Sequence, residues 1–240
     1  MGSTPYDSSP LTSAWWSAIR LRFPFLRVPP EGGRRLLNVV VAGIGLVGAA
    51  PLMCAIALVI KLTSPGPVFY AQPRVGLDRR NPLEGMGNSR RRNYGGRLFR
   101  IYKFRTMRWD PSHRIAQAWA TPDDPRITQI GRILRKYRLD ELPQLFNVLR
   151  GEMNVVGPRP EQPEIAVRLR SQIQGYQHRQ RVRPGITGWA QINHHYDVSL
   201  DDVRRKVAYD LQYVARHSLL EDLKIMVQTA PVVMFRRGAW

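Results

Sequence analysis

Three features of the sequence predict an α/β domain, mostly helical with a small sheet, seated against a membrane. Apolar residues recur at helical spacing through much of the chain after residue 126, two short strings near residues 68–72 and 98–107 are β-prone, and Val39 to Ile60 carries no charge at all. The 240 residues suffice for one sizeable domain and an appendage. With 37 Lys and Arg against 18 Asp and Glu, the net charge of +19 points to nucleic acid, anionic lipid or phosphorylated substrates as partners. Cys54 is the only cysteine, which excludes an intrachain disulfide framework and a Cys-rich metal site; a cytoplasm-facing domain is the simplest fit.

Residues 1–33 form a basic, aromatic tail, with Trp15, Trp16, Phe23 and Phe25 among Pro, Ser and Arg, a mixture that suits a membrane interface. The tail lacks the form of a cleaved signal peptide. Residues 34–62 follow as a membrane helix. The charge-free run of about 22 residues would reach roughly 33 Å as a straight helix. Pro51 lies in its middle, after Gly43, Gly45 and Gly48, and predicts a bend. Arg34 and Arg35 precede the run, and Lys61, Arg74, Arg79 and Arg80 follow it, so the positive-inside rule places both ends in the cytoplasm. A re-entrant helix that enters one leaflet, bends at Pro51 and returns meets both conditions. A plain span and a buried core helix are the competing readings.

Residues 63–240 make the third region. Thr63-Ser64-Pro65-Gly66-Pro67 is a turn cluster, and Val68 to Gln72 a strand. The stretch from about Asp78 to Arg97, with Arg90-Arg91-Arg92, reads as a basic surface insertion. In an extended Leu98–Met107, Lys103 and Arg105 project to one side and could grip a diphosphate. Asp123-Asp124-Pro125-Arg126 caps a helix to about Tyr137 whose apolar stripe is Ile127, Ile130, Ile133 and Leu134; Arg126 and Arg135 fall outside it.

The centre of the chain is Leu139-Asp140-Glu141-Leu142-Pro143-Gln144-Leu145. Pro143 is tolerable only in a helix's first turn, which makes Leu139 or Asp140 the expected N-cap and sets two carboxylates at a helix N-terminus. Anions are favoured there, and Arg126, Arg132, Arg135, Lys136 and Arg138 crowd the approach. Carboxylates among so many cations point to phosphate chemistry with a metal. Downstream, Gly157-Pro158-Arg159-Pro160 holds Arg159 in a rigid loop, suited to bidentate phosphate contact. Gln162–Gln174 is helical by pattern, Val182–Gln191 a Gly-punctuated loop, and Leu200–Val214 and Leu219–Phe235 amphipathic helices. The last helix turns Leu223, Met226, Val227, Ala230, Val233 and Met234 to the core or to the bilayer, core packing being the preferred reading. His178, His194, His195 and His217 lack zinc-site spacing. No P-loop or GxGxxG string supports ATP-driven chemistry.

Five strings in order, Ile101–Met107, Asp124–Thr128, Leu139–Leu145, Val156–Pro160 and Arg183–Trp189, resemble the bacterial sugar transferase family, the monotopic polyprenyl-phosphate phosphoglycosyltransferases. The resemblance covers about Arg34 to Phe235 and matches the small, catalytic-domain form. It implies transfer of a sugar-1-phosphate from a nucleotide diphosphate sugar, usually a UDP-sugar, to undecaprenyl phosphate, with Mg²⁺ and release of UMP, at the start of exopolysaccharide, capsule, O-antigen or glycoprotein glycan assembly. By the same resemblance Asp140 is the nucleophile of a phosphosugar-aspartyl intermediate and Glu141 helps to hold the metal. Lys103, Arg135 and Arg159 are the expected phosphate contacts, with Arg105 and Arg126 behind them, while Asp210 orients one of these cations or binds substrate. The implied fold is a cytoplasmic catalytic domain on the inner membrane, with a kinked re-entrant helix and amphipathic helices at the bilayer surface. Membrane lipid is a partner, a homodimer is allowed, and nucleic acid is not expected. Three departures stand out: Ala50 precedes the bend Pro51 where Ser is frequent, Asn38 replaces a common Asp, and His194-His195 replaces Gly-Arg. A catalytically silent scaffold and a basic nucleic-acid-binding membrane protein are the alternatives from other classes.

Overall fold

The computed structural model describes residues 32–78, 94–109, 124–194 and 199–234. Residues 1–31 of the N-terminal tail, Arg90-Arg91-Arg92, Asp123, His195 and Trp240 lie outside the described residues, while Gly32 and Gly33, assigned to the tail, open the first helix.

The first helix, α1 (Gly32–Thr63), organises the rest. Its 32 residues correspond to a length of about 48 Å, and it is long and apolar enough to cross a membrane. Pro51 lies inside it and removes one backbone donor from the ladder. Ala42, Met53, Ile56 and Ile60 recur at helical spacing and are buried against the domain. On another side Leu36, Val40, Ile44 and Val47, and further on Leu58 and Leu62, stand exposed. The helix therefore leans on protein along its length and shows an apolar surface elsewhere.

Two short strands pair antiparallel beneath it. β1 (Phe69–Val75) and β2 (Leu98–Phe104) run in register from Phe69 opposite Phe104 to Val75 opposite Leu98. The Phe69 and Phe104 rings stack at 5.3 Å between centroids. Then come α2 (Gln129–Lys136), a single 3₁₀ turn at Leu139–Glu141, and α3 (Gln144–Leu149). β3 (Asn154–Val156) and β4 (Gly185–Thr187) form a parallel pair; between them lie α4 (Pro163–Gln172) and a second 3₁₀ segment, Tyr176–Arg181. The chain goes on through α5 (Trp189–Asn193), α6 (Leu200–Arg216) and α7 (Leu219–Met234). Ser199 and Asp202 close a capping box at the start of α6.

The core is divided among contiguous clusters. Ala42 of α1 packs with Phe99, Ile101, Val148 and Met153, while Met53, Ile56 and Ile60 pack with Phe104 and Leu134. Val156, Val182, Tyr213, Val214 and Ile225 join the β3–β4 pair to α6 and α7. Each fully buried side chain of this kind is worth about 1.5–3 kcal/mol. The base of α1 adds polar ties. Buried Arg34 donates through Nε to Asp222 Oδ2 (2.9 Å) and through Nη2 to the Tyr213 hydroxyl (2.7 Å). Arg35 donates to the carbonyls of Val148 and Leu149, both at 2.6 Å, capping the end of α3. Asn38 donates to Arg34 O and accepts from Val155 N.

Several local expectations are corrected. Thr128, not the Asp123-Asp124 pair, caps α2: its hydroxyl accepts from Gly131 N at 3.0 Å, while Asp124 bonds instead to the backbone and guanidinium of Arg126. Neither Leu139 nor Asp140 caps α3. Arg138 adopts a left-handed conformation (φ 54°) that breaks the chain away from α2, the carboxylates form their own 3₁₀ turn, and Pro143 takes the N-cap position. The loop expected over Val182–Gln191 contains β4 and the start of α5, because its glycines permit close backbone pairing rather than only turns. Among the described side chains of α7, Asp222 and Ile225 are buried and Met226 packs against the core, while Leu220, Leu223 and Val227 are exposed, so the core packing preferred for the apolar stripe holds at Met226 but not at Leu223 or Val227.

Candidate active site

Asp140 and Glu141 follow one another in the 3₁₀ turn, both almost wholly buried. Three structural pieces aim cations at them. β2 supplies Lys103, whose Nζ lies 2.7 Å from Glu141 Oε1 and 3.8 Å from Asp140 Oδ2. The loop after β3 supplies Arg159, whose Nη2 reaches Glu141 Oε1 at 2.6 Å. α2 supplies Arg135, anchored by Nε on Thr106 Oγ1 at 2.9 Å and near enough to interact with Asp140 electrostatically.

The two carboxylates are treated differently. Burial raises the cost of charge at Glu141, but Arg159 and Lys103, as charges and as hydrogen-bond donors, outweigh it and hold Glu141 well below the usual range. Burial pushes the Asp140 carboxyl up, and Lys103, Arg159 and Arg135 only partly oppose it, with the Glu141 charge adding to the rise. Among the described residues Asp140 accepts no hydrogen bond; its nearest cation is Lys103. One buried carboxylate is thus gripped by two cations through Oε1, and its neighbour is left with both oxygens to offer.

The Arg159 loop is rigid for a steric reason. Gly157 and Gly185 meet where β3 pairs with β4: a Cβ on Gly157 would stand 2.3 Å from Arg183 O, and one on Gly185 2.1 Å from Gly157 N. No larger residue fits either place. Gly157 N donates to Thr187 O, and Gly185 N to Pro158 O. Prolines on both sides of Arg159 remove further freedom.

The structure thus brings Asp140, Glu141, Lys103, Arg135 and Arg159 together. It directs three other residues elsewhere. Arg105 does not share a face with Lys103, because the strand ends at Phe104; its guanidinium donates to the carbonyls of Ser64 and Pro65 and to Ser64 Oγ, tying down the chain just after α1. Arg126 is engaged by Asp124, whose carboxyl its guanidinium depresses to about 2. Asp210 is buried and paired with Arg179, with Arg179 Nη2 2.6 Å from Oδ2.

Two residues that hold the site gave little signal in the sequence. Asn147, wholly buried, accepts from Tyr102 N and donates to Arg100 O and Glu152, fastening α3 to β2 and so fixing the carboxylates against Lys103. A lone amide inside Leu145-Phe146-Asn147-Val148-Leu149 was the available clue. Arg179 lies in a basic stretch where nothing sets it apart.

Among the described residues no group of three or more His, Cys, Asp or Glu is gathered to hold a metal. Asp140 and Glu141 are the only carboxylates of the cluster, and Glu141 Oε2 has just a long contact, 3.5 Å, from Arg159 Nη1. That donor set fits a hard cation completed by phosphate oxygens and water.

A family model described as bacterial sugar transferase matches residues 31–236. The chain belongs to the bacterial sugar transferase family. Among its relatives, the UDP-glucose:undecaprenyl-phosphate glucose-1-phosphate transferase of Caulobacter vibrioides is 37% identical over 239 residues, covering 98% of this chain and 82% of that protein. The exopolysaccharide production protein ExoY of Rhizobium meliloti is 36% identical, covering 89% of this chain and 91% of that one. The UDP-N-acetylgalactosamine-undecaprenyl-phosphate N-acetylgalactosaminephosphotransferase of Aeromonas hydrophila is 41% identical over 86% of this chain, but the match spans only 44% of its length. The chain therefore spans less than half of several of the sugar transferases it matches.

Proposed function

We propose that this sugar transferase moves a sugar-1-phosphate from a UDP-sugar to undecaprenyl phosphate in two displacements at Asp140, the initiating step of exopolysaccharide or related glycan assembly. The observation that carries the reading is the asymmetry of the pair: Glu141 is bound by two cations while Asp140, one residue away and beside Lys103, accepts no hydrogen bond among the described residues. A carboxylate without hydrogen-bond donors keeps its lone pairs for a phosphorus. Two of the relatives named above are named for UDP-glucose and UDP-N-acetylgalactosamine, which makes these the first donors to test.

In the first displacement an Asp140 carboxylate oxygen forms a bond to the β-phosphorus of the donor. The bond from that phosphorus to the bridging oxygen breaks, and UMP departs with the electron pair. In the second, a phosphate oxygen of undecaprenyl phosphate attacks the same phosphorus, the bond to Asp140 breaks, and the carboxylate is restored. Lys103, Arg135 and Arg159 bind and orient the diphosphate and offset charge on its oxygens. Glu141 holds Lys103 and Arg159 in position and, with Asp140, would hold Mg²⁺. The metal would supply further charge neutralisation at the phosphates.

The packing of α1 supports a membrane-seated location. Residues buried against the catalytic domain extend from Arg34 to Ile60, a rise of about 39 Å, so a helix crossing the bilayer would drag its domain into the hydrocarbon. A re-entrant helix bent at Pro51, with the domain on the cytoplasmic face of the inner membrane and Leu220, Leu223 and Val227 of α7 meeting lipid, avoids that. Cysteine labels at Thr4 and Arg79 accessible from the same side support this topology; labels on opposite sides overturn it.

The decisive experiment follows UMP release from a panel of UDP-sugars with Mg²⁺ and undecaprenyl phosphate in nanodiscs. Release from one donor that disappears in Asp140→Asn is the expected result. Release that persists in the variant removes the covalent step, and an inert wild type across the panel returns the scaffold reading.

A further inference from the structure

Behind Arg159, four consecutive backbone carbonyls are each held by a different donor. Pro158 O accepts from Gly185 N at 3.0 Å, Arg159 O from Arg179 Nη2 at 2.8 Å, Pro160 O from Arg74 Nη1 at 3.3 Å, and Glu161 O from Val75 N at 3.0 Å. Two of the four donors are guanidinium groups far apart in sequence. Long buried side chains are immobilised in this way at an entropic cost, so the segment they fix is one whose position matters.

Arg179 is the centre of this support. Its side chain is 5% exposed, its Nε and Nη2 both reach Asp210 Oδ2 at 2.9 and 2.6 Å, and its Nη1 donates to the Tyr176 hydroxyl at 3.0 Å. Glu161 lies 4.0 Å from Arg179 and 2.9 Å from Lys206 Nζ, binding the loop to α6 a second time. The Asp210 side chain is 2% exposed, so no substrate phosphate or sugar reaches it without displacing Arg179. The same Nη2 contacts both Asp210 and the carbonyl of Arg159, and that shared donor links the two residues.

We infer that Asp210 and Arg179 are positioning residues: Asp210 orients the Arg179 guanidinium, which fixes the backbone of Arg159 so that its side chain spans Glu141 and the donor diphosphate. This rests on the reading that Arg159 binds the donor. It moves Asp210 out of contact with substrate, and it makes the buried pair a condition of Arg159's reach. Substrate binding and the charge balance of Asp140 and Glu141 then depend on a pair that touches neither the substrate nor the carboxylates.

The test is a double-mutant cycle on equilibrium binding of UDP to the full chain in nanodiscs, read by calorimetry. Asp210→Asn is expected to weaken UDP binding about 10-fold, in line with other residues that orient a binding group from behind. In an Arg159→Ala protein the same change is expected to alter Kd less than about twofold, because the residue being positioned is gone. Losses that multiply in the double variant overturn the inference, as does a full loss from Asp210→Asn in the Arg159→Ala background. Should Asp210→Asn fail to fold, Arg179→Lys takes its place: the charge opposite Asp210 remains, the fork that reaches two partners does not, and the same dependence on Arg159 is expected. A wild type that does not bind UDP fails the donor reading itself and the inference with it; a wild type that binds, with additive variants, fails the inference alone.

Discussion

Two buried charge clusters in this member of the bacterial sugar transferase family each set a carboxylate against cations, and they do different work. At the base of α1, Arg34 bonds both Asp222 and Tyr213, and Tyr213 contacts the second oxygen of Asp222 at 2.7 Å. Acid, base and hydroxyl close on one another. At the site, Lys103 and Arg159 both close on Glu141, and Asp140 is left buried with no hydrogen bond among the described residues. A buried carboxylate whose oxygens are satisfied holds elements together; one buried beside cations without being satisfied keeps its oxygens for an incoming atom.

The comparison breaks most sharply at Asp140→Asn. UMP release should fall by about 10⁴-fold or more, the scale of losing a nucleophile. Stability should move the other way. Burial raises the folded pKa of Asp140, so the ionised group opposes folding once the pH is above its unfolded value. The neutral amide removes that penalty at neutral pH, and the unfolding midpoint should equal or exceed the wild type's. A clear loss of stability would mean that Asp140 is satisfied after all.

Asp222→Asn should show the opposite pattern. It leaves Arg34 buried against a neutral partner, a change of the kind that costs about 3–5 kcal/mol. The folded fraction should still turn over near the wild-type rate, because the pair touches none of the cations around Asp140. Thermal unfolding and specific activity, measured on one preparation, separate the two clusters. A turnover loss as large as the stability loss would join them.

Lys103→Met sharpens the contrast within the site. Lys103 is the strongest influence holding the Asp140 pKa down against burial, so its removal should raise that pKa further. In the proposed mechanism Asp140 works ionised, so activity is lost as pH falls through its pKa, and the acid limb should move to higher pH. At neutral pH kcat/KM should fall about 10²-fold through loss of a phosphate contact. An unchanged limb would show that the cation serves Glu141 alone.

The legible part of this molecule was what short-range chemistry dictates. The charge-free run of α1, a strand within Leu98–Met107 and the placing of Asp140 and Glu141 just ahead of an apolar helix could each be read from neighbouring residues. What escaped depends on partners distant in sequence. Nothing near Arg105 says that it will bind Ser64 and Pro65, so its alternation with Lys103 looked like a shared face. Nothing near Asp210 says that Arg179, 31 positions earlier, will take its carboxylate. Local pattern also misjudged caps, because Asp124 and Thr128 are both good capping residues and only the fold shows Arg126 claiming the aspartate.

That choice of cap gives the smallest effect and a control for the others. Thr128 Oγ1 accepts from Gly131 N, satisfying one of the free donors in the first turn of α2. Thr128→Ala removes that acceptor and should cost about 1 kcal/mol, a drop of about 2–4 °C in the unfolding midpoint. Arg135 lies in the last turn of α2 and is held by Thr106, so it should keep its place and UMP release should be unchanged. The same substitution at Asp124 should leave α2 intact and remove the carboxylate that engages Arg126 instead. If Asp124→Ala proves the more damaging to stability, the aspartate is the cap and the assignment of Arg126 to it falls.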